Sequence, residues 1–244
     1  MKFPYKAILF DWAYTLVDLV KEDDRSAFLR LFDFLREKGL TLPDFELAFA
    51  TYQELFYKMI KISRETHREA RFDVVLKHLL LQYRIDLHDK TTLEELLNVY
   101  YKEIYSPRKV YPETVATLEK LKMRGVRMGV VCNTTNPGFM KDYESVSFGL
   151  DRYFEFAIYS SEVPFRKPHP SIFSLAVARL GLEVREILFV GDDLQADIKG
   201  AQGAGISTAW VNRERKSISE NIRPEYEIHS LDEVLSIDSV TACE

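Results

Sequence analysis

Three acidic or amide groups in this 244-residue sequence close short apolar runs, and a lysine stands in the loop after another such run. Asp11 follows Ala7-Ile8-Leu9-Phe10, Asn133 follows Val130-Val131-Cys132, and Asp192-Asp193 follow the run from Ile187 to Gly191. Lys167 comes after the run from Phe156 to Tyr159, directly before Pro168-His169-Pro170. Carboxylates gathered on one rim repel one another unless a cation lies among them. A hard divalent ion such as Mg²⁺, which prefers carboxylate and water oxygens, suits that set. Taken singly these residues are ordinary, since an aspartate after an apolar run is commonly a helix cap or turn residue. The chemistry therefore depends on whether the fold brings them together.

The elements that would do so are legible. Runs of about four apolar residues bounded by polar ones read as buried strands. From Val17 to Ser106 the rhythm is different: Phe28, Leu31, Phe32 and Leu35, then Val75, Leu76, Leu79 and Leu80, recur at helical spacing. Pro43 and the charged run from Arg64 to Arg71 divide this region into several helices, and Pro107 ends it. Past Pro112 strands and helices alternate: helix 113–123, strand 128–131, strand 156–159, helix 170–180, strand 187–190, helix 195–203 and strand 208–211. Such alternation implies right-handed crossovers and an α/β fold, a doubly wound parallel sheet. Residues 1–16 and 107–244 are expected to form this core, with an inserted helical cap domain over 17–106. Ligands of such sheets sit beyond the carboxyl ends of the strands, so the polar groups should share one rim.

Composition narrows the partners. With 33 basic and 38 acidic residues, the net charge of −5 gives no electrostatic reason to bind nucleic acid or an anionic membrane. No apolar run approaches the ~18 residues of a membrane span, and no signal-like apolar core follows Met1, so a soluble cytoplasmic protein is expected. Cys132 and Cys243 are too few and too far apart for a disulfide framework. His67, His78, His88 and His229 lack metal-ligand spacing, and His169, between two prolines, reads as structural. The run from Arg64 to Arg71, with Glu65 and Glu69 interspersed, reads as a solvated helical face, and Trp12 and Tyr14 as packing residues.

The order of these groups carries a resemblance. Over nearly its whole length the chain resembles the haloacid dehalogenase-like (HAD) hydrolase superfamily. Phe10-Asp11-Trp12-Ala13-Tyr14-Thr15-Leu16 is similar to its first motif, and Val130-Val131-Cys132-Asn133-Thr134 to its second. Arg166-Lys167-Pro168-His169-Pro170 is similar to the third, and the segment from Val190 through Gly191-Asp192-Asp193 to Asp197 to the fourth. The resemblance implies a phosphatase of small phosphorylated metabolites, with Asp11 as the nucleophile that forms an aspartyl-phosphate. It implies Mg²⁺ held by Asp11, the backbone carbonyl of Ala13 and Asp192, and a substrate phosphate held by Cys132, Asn133, Thr134 and Lys167. Thr15 would cap the turn after Asp11, Asp193 would support the acidic cluster, and Asp197 would complete that cluster or pair with Lys167.

Two positions depart from the pattern. Ala13 stands where the family's phosphatases place a second aspartate as general acid and base, a role worth roughly 10²–10⁴-fold. Cys132 stands where a Ser or Thr hydroxyl is usual, and a thiol is the weaker donor. Asp11-Trp12-Ala13 also resembles the phosphonoacetaldehyde hydrolases of the same superfamily, which cleave a C–P bond with a cap lysine; Lys58 or Lys61 would have to serve. A catalytically degraded protein that binds a phospho-ligand or partner is the third reading. The haloacid dehalogenases themselves work without metal and lack the pair Gly191-Asp192, which argues for phosphoryl chemistry.

Overall fold

The computed structural model describes residues 3–20, 22–87, 89–217 and 222–237; His88 and Cys243 lie outside these. A six-stranded sheet runs in the order β5-β4-β1-β6-β7-β8. Its strands are β1 (Ala7–Phe10), β4 (Arg127–Cys132), β5 (Phe156–Tyr159), β6 (Ile187–Gly191), β7 (Ser207–Val211) and β8 (Tyr226–Ile228). Every pairing is parallel, and Phe10 lies opposite Val130 on one side and Val190 on the other. The expected doubly wound sheet is therefore present, with the strand that ends at Asp11 between its two halves. That is the switch point of the topology, where open α/β sheets form their crevice.

Both faces of the sheet are covered, which is why its strands are apolar throughout rather than alternating. Ile8, Phe10, Met128, Val130, Leu188 and Val190 join Leu118 and Leu121 of α5 (Thr114–Met123) on one face. Leu9, Val131 and Phe189 join Ile172, Phe173 and Ala176 of α7 (Pro170–Leu180) on the other.

Between β1 and α5 the chain forms α1 (Asp24–Glu37), α2 (Phe45–Thr66), α3 (Phe72–Gln82) and α4 (Leu93–Tyr105). Each expected apolar stripe is buried, and the helices share a core containing Phe28, Leu31, Leu35, Tyr52, Phe72 and Leu76. Phe28 stacks on Tyr52 at 5.1 Å and Phe72 on Tyr100 at 4.0 Å; burying each such ring contributes about 1.5–3 kcal/mol. Helix starts are set by side chains: Asp23 accepts from Ser26 N, Asp44 from Leu47 N, and Thr92 and Glu95 form a capping box. Met140, from α6 (Gly138–Ser147), enters this helical core and seats the helices on the sheet domain.

The region from Val17 to Ser106 does not begin with a helix. Val17–Asp18 (β2) pairs antiparallel with Lys109–Val110 (β3), tying together the two segments that lead into and out of the helices. Strands of two residues carry no periodicity, so hydrophobic pattern does not reveal them. Among the described residues no helix is long and apolar enough to cross a membrane.

Candidate active site

Asp11 is anchored at the end of β1 by its N–H, which donates to Val190 O at 2.9 Å. Its Oδ1 lies 2.5 Å from Lys167 Nζ, and the same ammonium reaches Asp197 Oδ1 at 2.7 Å and Val131 O at 2.7 Å. Lys167 is fully buried and donates to Asp11 Oδ1 and Val131 O, while Asp197 Oδ1 is held beside it as an ion pair. Burial opposes the charge, but Asp11 and Asp197 hold the lysine pKa well above its usual value.

Asp192 brings a further carboxylate to the same place: ligand oxygens of Asp11, Asp192 and Asp197 lie within 4.8 Å of one another. Burial, then the charges of Asp11 and Asp197, push the Asp192 carboxyl far above the usual carboxylate range. Asp197 is raised as well, by burial first and despite Lys167. Its position comes from local backbone. After β6 the chain makes a π-helical turn, Leu194–Lys199, before α8 (Gly200–Gly203), and Asp197 Oδ2 accepts from Asp193 N at 3.1 Å. A Cβ at residue 191 would stand 2.3 Å from Asp197 Oδ2, so glycine there is what lets the carboxylate approach. Asp197 meets both expectations, joining the acidic cluster and pairing with Lys167.

Several expected site residues have other partners. Asn133 clamps the lysine loop, its Nδ2 donating to Lys167 O at 3.0 Å while Lys167 N donates to Asn133 Oδ1 at 2.9 Å. Cys132 is buried beside Trp12 and Val130 in the apolar core, its thiol donating to Asn133 O at 3.4 Å. Burial pushes that thiol up to about 12. Thr134 N donates to Ser160 Oγ at 2.8 Å, and Thr134 Oγ1 accepts from Asn136 N at 3.1 Å. Asp193 is an exposed cap that accepts from Gln195 N and Ala196 N, both at 2.8 Å, and lies outside the carboxylate cluster. Thr15 does not cap its turn: Leu16 N and Val17 N both donate to Trp12 O, and Thr15 Oγ1 finds no partner among the described residues. The backbone had already used the N–H groups a cap would take.

The haloacid dehalogenase-like hydrolase family pattern matches residues 5–205. The chain belongs to this family. A glyceraldehyde 3-phosphate phosphatase of Methanothermobacter thermautotrophicus is 30% identical over 241 residues, covering 97% of this chain and 96% of that protein. Among solved structures, a HAD phosphatase from Thermococcus onnurineus superposes with a TM-score of 0.67 at 28% identity, covering 95% of this chain and 96% of that one. A 2-haloacid dehalogenase from Pseudomonas syringae pv. Tomato DC3000 gives 0.68 at 26% identity, covering 95% and 98%. The chain is thus a HAD-like hydrolase whose overall shape matches both phosphatases and dehalogenases.

Around this hydrolase site lie two groups of residues that sequence reading passed over. The first comes from the run Arg64 to Arg71, whose Arg64, Glu65, Arg68 and Arg71 are exposed as expected but whose Glu69 side chain is buried against the sheet domain. α2 ends at Thr66, His67 turns left-handed with φ 55°, and the following residues dock on the sheet domain. Arg166 N donates to His67 O at 2.8 Å, Phe72 N to Thr135 O at 2.9 Å, and Ser160 Oγ to Glu69 Oε2 at 2.5 Å. Arg166 also reaches Ser63 Oγ at 3.0 Å and Glu69 at 3.5 Å, so the helical insertion holds both the second-motif and third-motif loops. Burial outweighs these partners and raises the Glu69 carboxyl above its usual value.

The second group surrounds Glu144 of α6, whose side chain is fully buried. It accepts from Trp12 Nε1 at 3.2 Å, Tyr101 OH at 2.5 Å and Arg108 Nη1 at 2.9 Å, and pairs with Lys141. Lys141 lies 5.1 Å from the Trp12 ring centre, and Arg108 also pairs with Glu22. Burial alone would raise the Glu144 carboxyl, but Lys141 and Arg108 hold it down at about 2. Lys141 is one turn away on the same helix, but Trp12, Tyr101 and Arg108 come from three distant segments, so sequence does not show that Glu144 is buried.

Proposed function

We propose that this HAD-like hydrolase is a cytoplasmic phosphatase of small phosphorylated metabolites, with Asp11 as nucleophile and Mg²⁺ as its ion. The observation that carries the reading is charge: three carboxylates converge and one buried ammonium neutralises only part of them. Among the described residues no cation lies within salt-bridge distance of Asp192, and no donor reaches the Ala13 carbonyl, so Asp11, Asp192 and that carbonyl fit a hard divalent ion. When bound, such an ion offsets the charge of the transferring phosphoryl group.

Asp11 attacks phosphorus in line: an O–P bond forms to the carboxylate as the ester O–P bond breaks, and the electron pair leaves with the alcohol oxygen. Water then attacks the aspartyl-phosphate, releasing inorganic phosphate and regenerating Asp11. Lys167 holds the Asp11 carboxylate in place, Asn133 fixes the Lys167 backbone, and Asp197 balances the lysine charge. With Ala13 in the first motif, the leaving oxygen receives no proton from that position, so the rate depends steeply on how well it leaves unaided. Residues 17–106 serve as the cap that excludes water, hinged at the β2–β3 pair and latched through Glu69. The core, 1–16 and 107–244, carries the chemistry.

The C–P hydrolase alternative needs a desolvated cap lysine, and Lys58 and Lys61 are both exposed on α2. The metal-free dehalogenase alternative does not account for Asp192 beside Asp11. Phosphate release from a panel of phosphate esters and acyl phosphates, with Mg²⁺ and with excess chelator, tests the proposal. Release that requires the ion supports it, and halide release from 2-haloacids at full rate in chelator would replace it with dehalogenase chemistry.

A further inference from the structure

Tyr14 has φ 57°, a left-handed conformation that glycine adopts freely and that is an outlier for a bulky side chain. The conformation is enforced: Tyr14 N donates to Val17 O at 2.7 Å, and Arg213 Nε donates to Tyr14 O at 3.2 Å. Packing does not explain the tyrosine, because the residue is 46% exposed and among the described residues no other aromatic ring pairs with it. Backbone strain of this kind clusters at functional sites, and here it is spent on presenting a ring.

Tyr14 lines a recess of about 400 Å³ together with Tyr111, Asp192, Trp210, Arg213 and Lys216. Asp192 belongs to this recess and to the acidic cluster alike, so a phosphate held at the cluster has the recess as the adjoining space. Its walls are flat and fixed. The Arg213 guanidinium lies 3.6 Å from the Tyr111 ring centre and is pinned by Glu113 Oε1 at 2.7 Å and Thr15 O at 3.0 Å. The Trp210 indole is held by its N–H on Asp192 O at 2.8 Å. Asn212, also in the wall, is committed to Lys216 and Glu227. The polar groups are thus largely engaged with each other, and what the recess offers a ligand is planar surface, with the exposed Tyr14 ring as its free platform.

Resting on the phosphatase reading above, we infer that this recess is the leaving-group subsite, that it takes a flat heteroaromatic group, and that Tyr14 determines specificity for nucleoside monophosphates. Stacking on a ring tolerates any base, so the preference is for a base over none rather than for one base.

Adenosine 5′-monophosphate and ribose 5-phosphate test this, because the bond broken is the same and only the base differs. The readout is the ratio of their kcat/KM values in one protein, which cancels any general damage from a substitution. The wild type should favour the nucleotide by about tenfold or more, the usual scale of one base stacked on one aromatic ring. Tyr14→Phe should keep that ratio and Tyr14→Gly should bring it near one. A wild-type ratio near one, or a preference that survives in Tyr14→Gly, overturns the inference. If neither ester is hydrolysed, the panel of esters and acyl phosphates decides the phosphatase reading, and calorimetric binding of the same two compounds with Mg²⁺ decides the subsite separately. Tighter binding of the nucleotide by about tenfold supports it, and equal binding refutes it.

Discussion

Among the described residues, two buried clusters of acidic and basic side chains adjoin the loop after β1, and they are built to opposite ends. At the rim, Asp11, Asp192 and Asp197 face Lys167, and acid outnumbers base. At the junction with the helices, Glu144 faces Lys141 and Arg108, with Glu22 closing the balance. The carboxyl pKa values record the difference: Glu144 is held at about 2, whereas Asp192 is pushed up by burial and by its acidic neighbours. A buried cluster whose charges cancel holds elements together, and in the Glu144 cluster Arg108 Nε is the donor left without a partner among the described residues. One left with excess charge needs something from solution, and that is the mark of a site. Trp12 and Asp11 are adjacent in sequence and belong one to each cluster, so the junction fixes the approach to the rim.

The sharpest break in this comparison should come from Asp11→Asn, which is nearly isosteric but has no nucleophilic carboxylate. Turnover should fall by about 10⁴-fold or more while the protein stays folded. Phosphate release and circular dichroism on the same sample check both halves. Glu144→Ala should give the reverse pattern, since it takes the carboxylate from buried Lys141 and leaves buried Arg108 with Glu22 alone. The loss should be about 3–5 kcal/mol, read as a fall in Tm of roughly 10 °C.

Ala13→Asp sharpens the account of the rim. It should recover part of the ~10²–10⁴-fold that general acid catalysis normally supplies, chiefly for alkyl phosphates with poor leaving groups. The slope of log kcat/KM against leaving-group pKa should become shallower in the variant; an unchanged slope would show that the proton already comes from elsewhere.

A smaller effect separates the clusters by pH. Glu144 has a folded pKa depressed to about 2, below its unfolded value near 4.5. Its contribution to stability is therefore complete above about pH 4.5 and is lost as pH falls towards 2. Glu144→Gln should lose less stability than the wild type across that window, as measured by denaturant midpoints.

How much of this was legible in the sequence depended on range. Asp11 and Asp192 were found because each directly follows an apolar strand, a local signal that parallel sheets convert into a shared rim. The role of Gly191 beside Asp197 and the use of Asn133 as a clamp on Lys167 needed coordinates, since both are contacts between side chain and backbone in space. Glu69 was misread because charge spacing over 64–71 looks helical, while the left-handed residue His67 ends the helix early. Glu144 was invisible for a related reason: an acid inside an amphipathic helix looks solvated until its partners from the loop after β1, α4 and the segment before β3 are assembled around it.

The central claim, that the rim is the cluster awaiting a cation, is tested most directly by Mg²⁺ titration calorimetry on wild type, Asp192→Asn and Glu144→Gln. The account predicts one bound ion per chain in the wild type, affinity weakened about tenfold or more in Asp192→Asn, and affinity kept in Glu144→Gln. Absence of Mg²⁺ binding to the wild type, or equal affinity in Asp192→Asn, would contradict it.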